Sequence, residues 1–135
     1  MSPIKTFQGT VYSWDCDQMQ HMNVKNYVEK FDQATWNFFS YLGLTAGYLR
    51  ENKRGMVALE QHIWYKKELY AGDNVFIESN ILELKEKIIR FKHIMYNLEN
   101  KIISAETELT GLHIGTEKRK SLNFPVFVHD NLKKL

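Results

Sequence analysis

A chain of 135 residues is long enough for one apolar core and short of two, so a single domain over residues 1–135 is expected. With 44% apolar and 25% charged residues it is neither disordered nor low-complexity, and its net charge of +2 is dispersed apart from one basic cluster at Lys118-Arg119-Lys120, which argues against a nucleic-acid partner. No apolar run approaches the ~18 residues of a membrane span, Met1-Ser2-Pro3-Ile4-Lys5 holds no apolar leader, and a cytoplasmic location is the expectation.

In chain order, Phe7 to Trp14 is rich in β-formers and predicts a first strand. A long amphipathic helix follows from Val24 to Leu42. Tyr27, Val28, Phe31, Ala34, Thr35, Phe38 and Leu42 fall at spacings of three and four, Lys25, Glu29, Gln33, Asn37 and Tyr41 supply the other side, and Gly43 is a suitable stop. Trp36 and Phe39 widen the apolar surface until little of the helix is left for water, so it is expected to be wrapped. Thr45 to Glu51 is a short segment before the turn Asn52-Lys53-Arg54-Gly55.

Strands are then predicted over Met56 to Tyr70, closed by Ala71-Gly72-Asp73, and over Asn74 to Leu84, with Val75, Ile77, Ser79 and Ile81 on one side. Two more run from Ile88 to Leu98 and from Ile102 to Ile114. Phe124-Pro125-Val126 ends the sheet, and His129 to Leu135 forms a short helix. One helix followed by long antiparallel strands is an α+β arrangement. Trp64, Tyr65, Tyr70 and Phe91 are aromatics the helix need not cover, which points to at least a dimer.

Ionisable and amide side chains crowd the stretch Asp15-Cys16-Asp17-Gln18-Met19-Gln20-His21-Met22-Asn23, just ahead of the helix. A helix start offers unpaired N–H groups and the positive end of the macrodipole, a place suited to a developing negative charge. A carboxylate there could attack a carbonyl or activate water. Asp17 is the candidate, as nucleophile or general base, and the same residue type also serves as an N-cap. His21 would orient a carbonyl or assist proton transfer, or be satisfied by the loop; Asn23 would hold water or cap the helix. The lone Cys16 cannot form an internal disulfide, and Asp15 and Asp17 oppose a thiolate, so it reads as structural.

Asp17, His21, Asn23 and Tyr27 at the head of a long helix resemble the hotdog-fold thioesterases, in the 4-hydroxybenzoyl-CoA thioesterase-like branch. Asp17 falls on that branch's catalytic carboxylate. In the related run Asp-x-x-Gly-His-Val-Asn-Asn, His21-Met22-Asn23 falls on His-Val-Asn, while Gln20 replaces the Gly and Val24 the second Asn. Gln20-His21 is similar to the acyl-carrier-protein thioesterases.

The resemblance implies a long central helix wrapped by a curved antiparallel sheet, hydrolysis of a fatty or aromatic acyl-CoA, and a homodimer or homotetramer with its site between subunits. It also implies substrate contacts from Tyr27, which otherwise has a packing role, from Glu60 on a strand facing the acyl group, and from Lys85 and Lys87 at a turn meeting the coenzyme A phosphates, where surface lysines are also commonplace. An acyl-carrier-protein thioesterase and a non-catalytic acyl-thioester-binding module are the alternatives. No Gly-x-Ser-x-Gly elbow, phosphate loop or dinucleotide fingerprint occurs, and His62, His93, His113 and His129 lack ligand-like spacing, so no cofactor and no metal are expected.

Overall fold

The computed structural model describes all 135 residues. Its elements are β1 (Ile4–Thr10), a 3-10 turn (Ser13–Asp15), α1 (Val24–Tyr41), α2 (Ala46–Glu51), β2 (Arg54–Tyr65), β3 (Asn74–Leu84), β4 (Ile88–Asn97), β5 (Ile103–Gly115), β6 (Lys120–Ser121) and α3 (Val126–Lys133). The strands form one antiparallel sheet in the order β1-β3-β4-β5-β2, with β6 added to the far end of β5. This is the α+β arrangement expected, with α1 packed on one face.

Helix α1 is fixed by local chemistry at both ends. Asn23 caps it, its Oδ1 accepting the Lys25 N–H at 3.1 Å. At the other end Gly43 takes φ +91, where a Cβ would lie 2.8 Å from Phe127 and Asn131, and Asn131 donates to the Leu42 carbonyl at 3.0 Å. On the inward face of α1, Phe31 and Ala34 join Ile77, Met95 and Ala105 in one buried cluster, and Phe38 joins Ile89 and Phe91 in a second.

The helix is less enclosed than its pattern predicts. Val28 and Trp36 are exposed, while Lys30, on the polar side of the pattern, is buried against Asp15. The first strand also differs: it ends at Thr10, because the Asp15 carboxylate accepts the Tyr12 N–H at 2.9 Å and turns the chain into a 3-10 turn, leaving Trp14 exposed. Thr45 caps α2, which forms within the short segment from Thr45 to Glu51. The sheet closes with Lys120–Ser121 instead of Phe124-Pro125-Val126. Pro125, at φ −59, instead precedes α3, which begins three residues earlier than predicted.

β2 ends at Tyr65, five residues before the predicted Tyr70. There the Ser104 carbonyl accepts both the Lys66 and Lys67 N–H groups at 2.9 and 3.1 Å, and the chain leaves the sheet. β2 pairs only with β5, so its other edge is open over twelve residues, and Val57, Leu59, Trp64 and Tyr65 are all exposed on it.

A chain of buried polar groups crosses the core. Thr6 Oγ1 meets Ser79 Oγ at 2.7 Å, Ser79 Oγ meets His93 Nδ1 at 2.6 Å, and His93 Nε2 meets Thr35 Oγ1 at 2.8 Å, so that β1, β3, β4 and α1 are joined through one ring. His93 is fully buried between the rings of Phe31 and Phe91, and burial pushes its pKa down to about 3.

Candidate active site

The stretch ahead of α1 folds as a tight turn. Cys16 and Met22 bridge antiparallel, the Asp17 N–H donates to the His21 carbonyl at 3.2 Å, and the Gln20 N–H donates to the Asp17 carbonyl at 2.9 Å. Gln20 sits at φ +65, a left-handed position that favours glycine. Asp17 and His21 are thus paired across the turn. Asp17 Oδ1 accepts the Met19 N–H at 2.9 Å, so Asp17 caps its own turn while Asn23 caps the helix.

Asp15 has a different task. It is buried, accepting from the Asn26 side-chain amide at 3.1 Å and the Tyr12 N–H, with Lys30 Nζ 3.6 Å from Oδ2. Its carbonyl receives the Asn23 N–H at 2.9 Å. These contacts lash the turn to α1 and set where Asp17 and His21 stand.

On the other side the turn meets the segment after β2, with the Met22 N–H donating to the Leu69 carbonyl at 2.8 Å. Between them lies a cavity of about 380 Å³ lined by His21, Val24, Tyr27, Tyr65, Lys67 and Glu68, among others. His21 Nε2 is 3.6 Å from Glu68 Oε1, which orients the imidazole toward a carboxylate. The backbone N–H groups of His21 and Val24 have no partner in the chain. Tyr27 is buried, and burial, then Tyr65 and Glu68, push its hydroxyl up to about 12.

A second groove, of about 430 Å³, runs between α1 and the β2–β5 pair past Glu29, Asp32, Trp36, Met56 and Gln61. No group of three or more His, Cys, Asp or Glu side chains is placed to hold a metal ion.

Of the residues singled out in sequence, His21 and Tyr27 line the cavity, while Asp17 and Asn23 lie in the turn beside it and are not among its lining residues. Glu60 does not join them: it is exposed on the edge strand and pairs with His62 at 2.9 Å. Lys85 and Lys87 lie in the β3–β4 turn, beside the Gly115 end of β5, and Lys85 pairs with Glu83 at 3.4 Å. The cavity is at the Ala105 end of β5, so ten residues of strand, roughly 33 Å, separate the two within one copy. The basic side chains beside His21 are instead Lys66 and Lys67. Together with Tyr65 and Glu68 they escape a reading of the sequence that runs a regular strand through to Tyr70.

The family description "thioesterase-like superfamily" matches residues 11–132. The chain belongs to that superfamily. Its relatives include the L-carnitine dehydrogenase/betainyl-CoA thioesterases of Ruegeria pomeroyi, 30% identical over 118 residues and covering 87% of this chain and 24% of that protein, and of Agrobacterium fabrum, 24% identical over 123 residues and covering 91% and 25%. This chain therefore spans about a quarter of their length.

Among solved structures, a Staphylococcus aureus protein in complex with CoA superposes with TM-score 0.91 at 22% identity, covering 99% of this chain and 85% of the other. The 1,4-dihydroxy-2-naphthoyl-CoA thioesterase of Synechocystis gives 0.86 at 13%, covering 99% and 98%. These likenesses make the fold the hotdog fold. Within this member of the thioesterase-like superfamily, the Asp17 carboxylate lies in the turn that leads into α1, and His21 and Val24, whose N–H groups have no partner in the chain, line the cavity beside that turn.

Proposed function

We propose that the chain hydrolyses an acyl-CoA thioester to the free acid and coenzyme A, with Asp17 as the acting carboxylate. The observation that carries this reading is the Asp17–His21 turn, opening at the start of α1 beside a cavity with two free backbone donors. The thioester carbonyl would enter between the His21 and Val24 N–H groups, which stabilise the oxyanion as it forms. Asp17 then either adds to the carbonyl carbon, giving an anhydride that water opens, or takes a proton from the water that adds. Both routes expel the coenzyme A thiolate, and His21, steered by Glu68, lies where it can pass a proton to it. Asn23 acts through the turn by holding the head of α1.

The likeness to the betainyl-CoA thioesterases supports a small acyl group, as does the modest volume beside His21. The working unit is a homodimer joined along β2, supported by the open edge and its exposed Val57, Leu59, Trp64 and Tyr65. Antiparallel pairing of two β2 edges would set the Arg54 end of one copy beside the Tyr65 end of the other, next to its cavity. The test is thiol release from a panel of acyl-CoAs by the parent protein and by Asp17→Asn. A fall of about 10²–10⁴-fold in kcat is expected; equal rates in both forms would refute the role given to Asp17.

A further inference from the structure

Two empty volumes lie end to end in the furrow between α1 and β2. The cavity beside His21, of about 380 Å³, is lined from the helix by Val24 and Tyr27 and from the strand by Tyr65. The groove of about 430 Å³ begins at Val28 on the helix and at Gln61 on the strand. Val28 lies one turn beyond Val24 on the same helix face, and Gln61 shares its strand face with Tyr65. Along the helix the two spaces are therefore only about 6 Å apart.

Tyr65 is what stands between them. The inward side chains of this stretch of β2 are Gln61, Ile63 and Tyr65, and Ile63 packs down on the buried cluster beneath. The Tyr65 ring stands edge-on to Tyr27, with ring centroids 5.1 Å apart and planes at 86°. Tyr27 is buried in the same cluster as Phe31 and Leu69, so the half-exposed Tyr65 leans on a support that is itself close-packed.

The cavity has a polar side and an apolar one. Lys66, Lys67 and Glu68 line the first, and Val24, Tyr27 and Tyr65 the second. A thioester whose carbonyl meets the His21 and Val24 N–H groups would leave its amide-bearing carrier arm on the polar side and turn its acyl group toward the tyrosines. A short acyl group ends there. A longer one meets the Tyr65 ring and must bend back among charged side chains, gaining nothing from its further methylenes. Beyond the ring, Val28, Trp36, Phe39, Met56 and Leu109 offer the apolar walls such a chain needs. Resting on the thioesterase reading above, we propose that Tyr65, braced by Tyr27, sets the acyl-length limit by closing the slot and shutting it off from the groove between α1 and the β2–β5 pair.

Thiol release from butanoyl-CoA and octanoyl-CoA tests this, read as the ratio of kcat/KM for the longer ester over the shorter. In the parent and in Tyr65→Phe, which keeps the ring, the ratio should be one or less. In Tyr65→Ala each of the four added methylenes can be buried in the groove at about fourfold apiece, so the ratio should rise about 10²-fold. Tyr65→Val serves where Tyr65→Ala does not fold. Ala58 is exposed and lines the groove, so Ala58→Phe added to Tyr65→Ala should fill the space and take the gain away, which a merely loosened strand end would not do. A parent that already favours octanoyl-CoA, an unchanged ratio in Tyr65→Ala, or a gain that survives Ala58→Phe overturns the proposal and leaves the thioesterase reading standing. If the parent releases thiol from neither ester, that reading fails and binding decides the role of Tyr65. Calorimetry with the thioethers S-butyl-CoA and S-octyl-CoA should then show the same change of preference on Tyr65→Ala; no change overturns it.

Discussion

Acidification should weaken this fold through His93 in particular. The ring is fully buried, accepts or donates only to the hydroxyls of Ser79 and Thr35, and is flanked by Phe31 and Phe91, so its folded-state pKa of about 3 lies far below the ordinary 6.5. Between those values the unfolded chain binds a proton that the native protein refuses. Stability is therefore complete above about pH 7 and is lost as the pH falls below 6.5. At pH 5 the loss is 1.5 units at ~1.36 kcal/mol each, or about 2 kcal/mol, a large share of the total for a chain of this size. Urea unfolding at pH 8 and pH 5, for the parent and for His93→Gln, isolates this contribution, because every other acid-sensitive group is common to both. The variant will be less stable at pH 8, yet the parent should lose about 2 kcal/mol more than the variant on going to pH 5. Equal losses in the two proteins would refute a His93 buried in its neutral form.

Lys30→Met leaves Asp15 buried without its cation and should cost about 3–5 kcal/mol in chemical denaturation; Asp15→Asn added to it should recover part of that loss. Gln20→Gly relieves a left-handed residue and should raise stability by about 0.5–1 kcal/mol, seen as a higher urea midpoint with unchanged m-value. Single-turnover hydrolysis in ¹⁸O-water detects the nucleophilic route when water opens the anhydride at the Asp17 carboxyl carbon: label then enters that carboxylate and the acid released in the first turnover is unlabelled, whereas a general base, or opening at the acyl carbon, sends the label directly to the acid.

The parts of the fold that were legible in the sequence are those set by local signals. Helix α1 starts where Asn23 can cap it and ends within one residue of the prediction, at a glycine needed for φ +91; β3 matches its predicted bounds, Asn74–Leu84. Long-range chemistry accounts for what was not. The Ser104 carbonyl ends β2, the Asp15 carboxylate ends the extended stretch after β1, and both partners are visible only once the chain is folded. Lys30 sits on the charged side of the helical pattern, and its burial depends on a carboxylate fifteen residues earlier. The site divides in the same way. Asp17, His21, Asn23 and Tyr27 are close in sequence and could be read as a group. Tyr65 and Glu68 reach the cavity because Leu69 is drawn to Met22, a contact no local pattern announces.

The polar chain through His93 also bears on how the strands find their alignment. Ser79 and His93 are direct partners across β3 and β4, with Ile77 opposite Met95 and Ile81 opposite Phe91. Sliding β3 by two residues would keep the same side chains facing inward, so hydrophobic patterning alone gives little protection against that error. In either slipped register His93 would face Ile77 or Ile81, stranding the ring nitrogen now satisfied by Ser79 at a cost of about 1–3 kcal/mol. Four polar side chains thus act as a proofreading key for the assembly of an otherwise repetitive sheet.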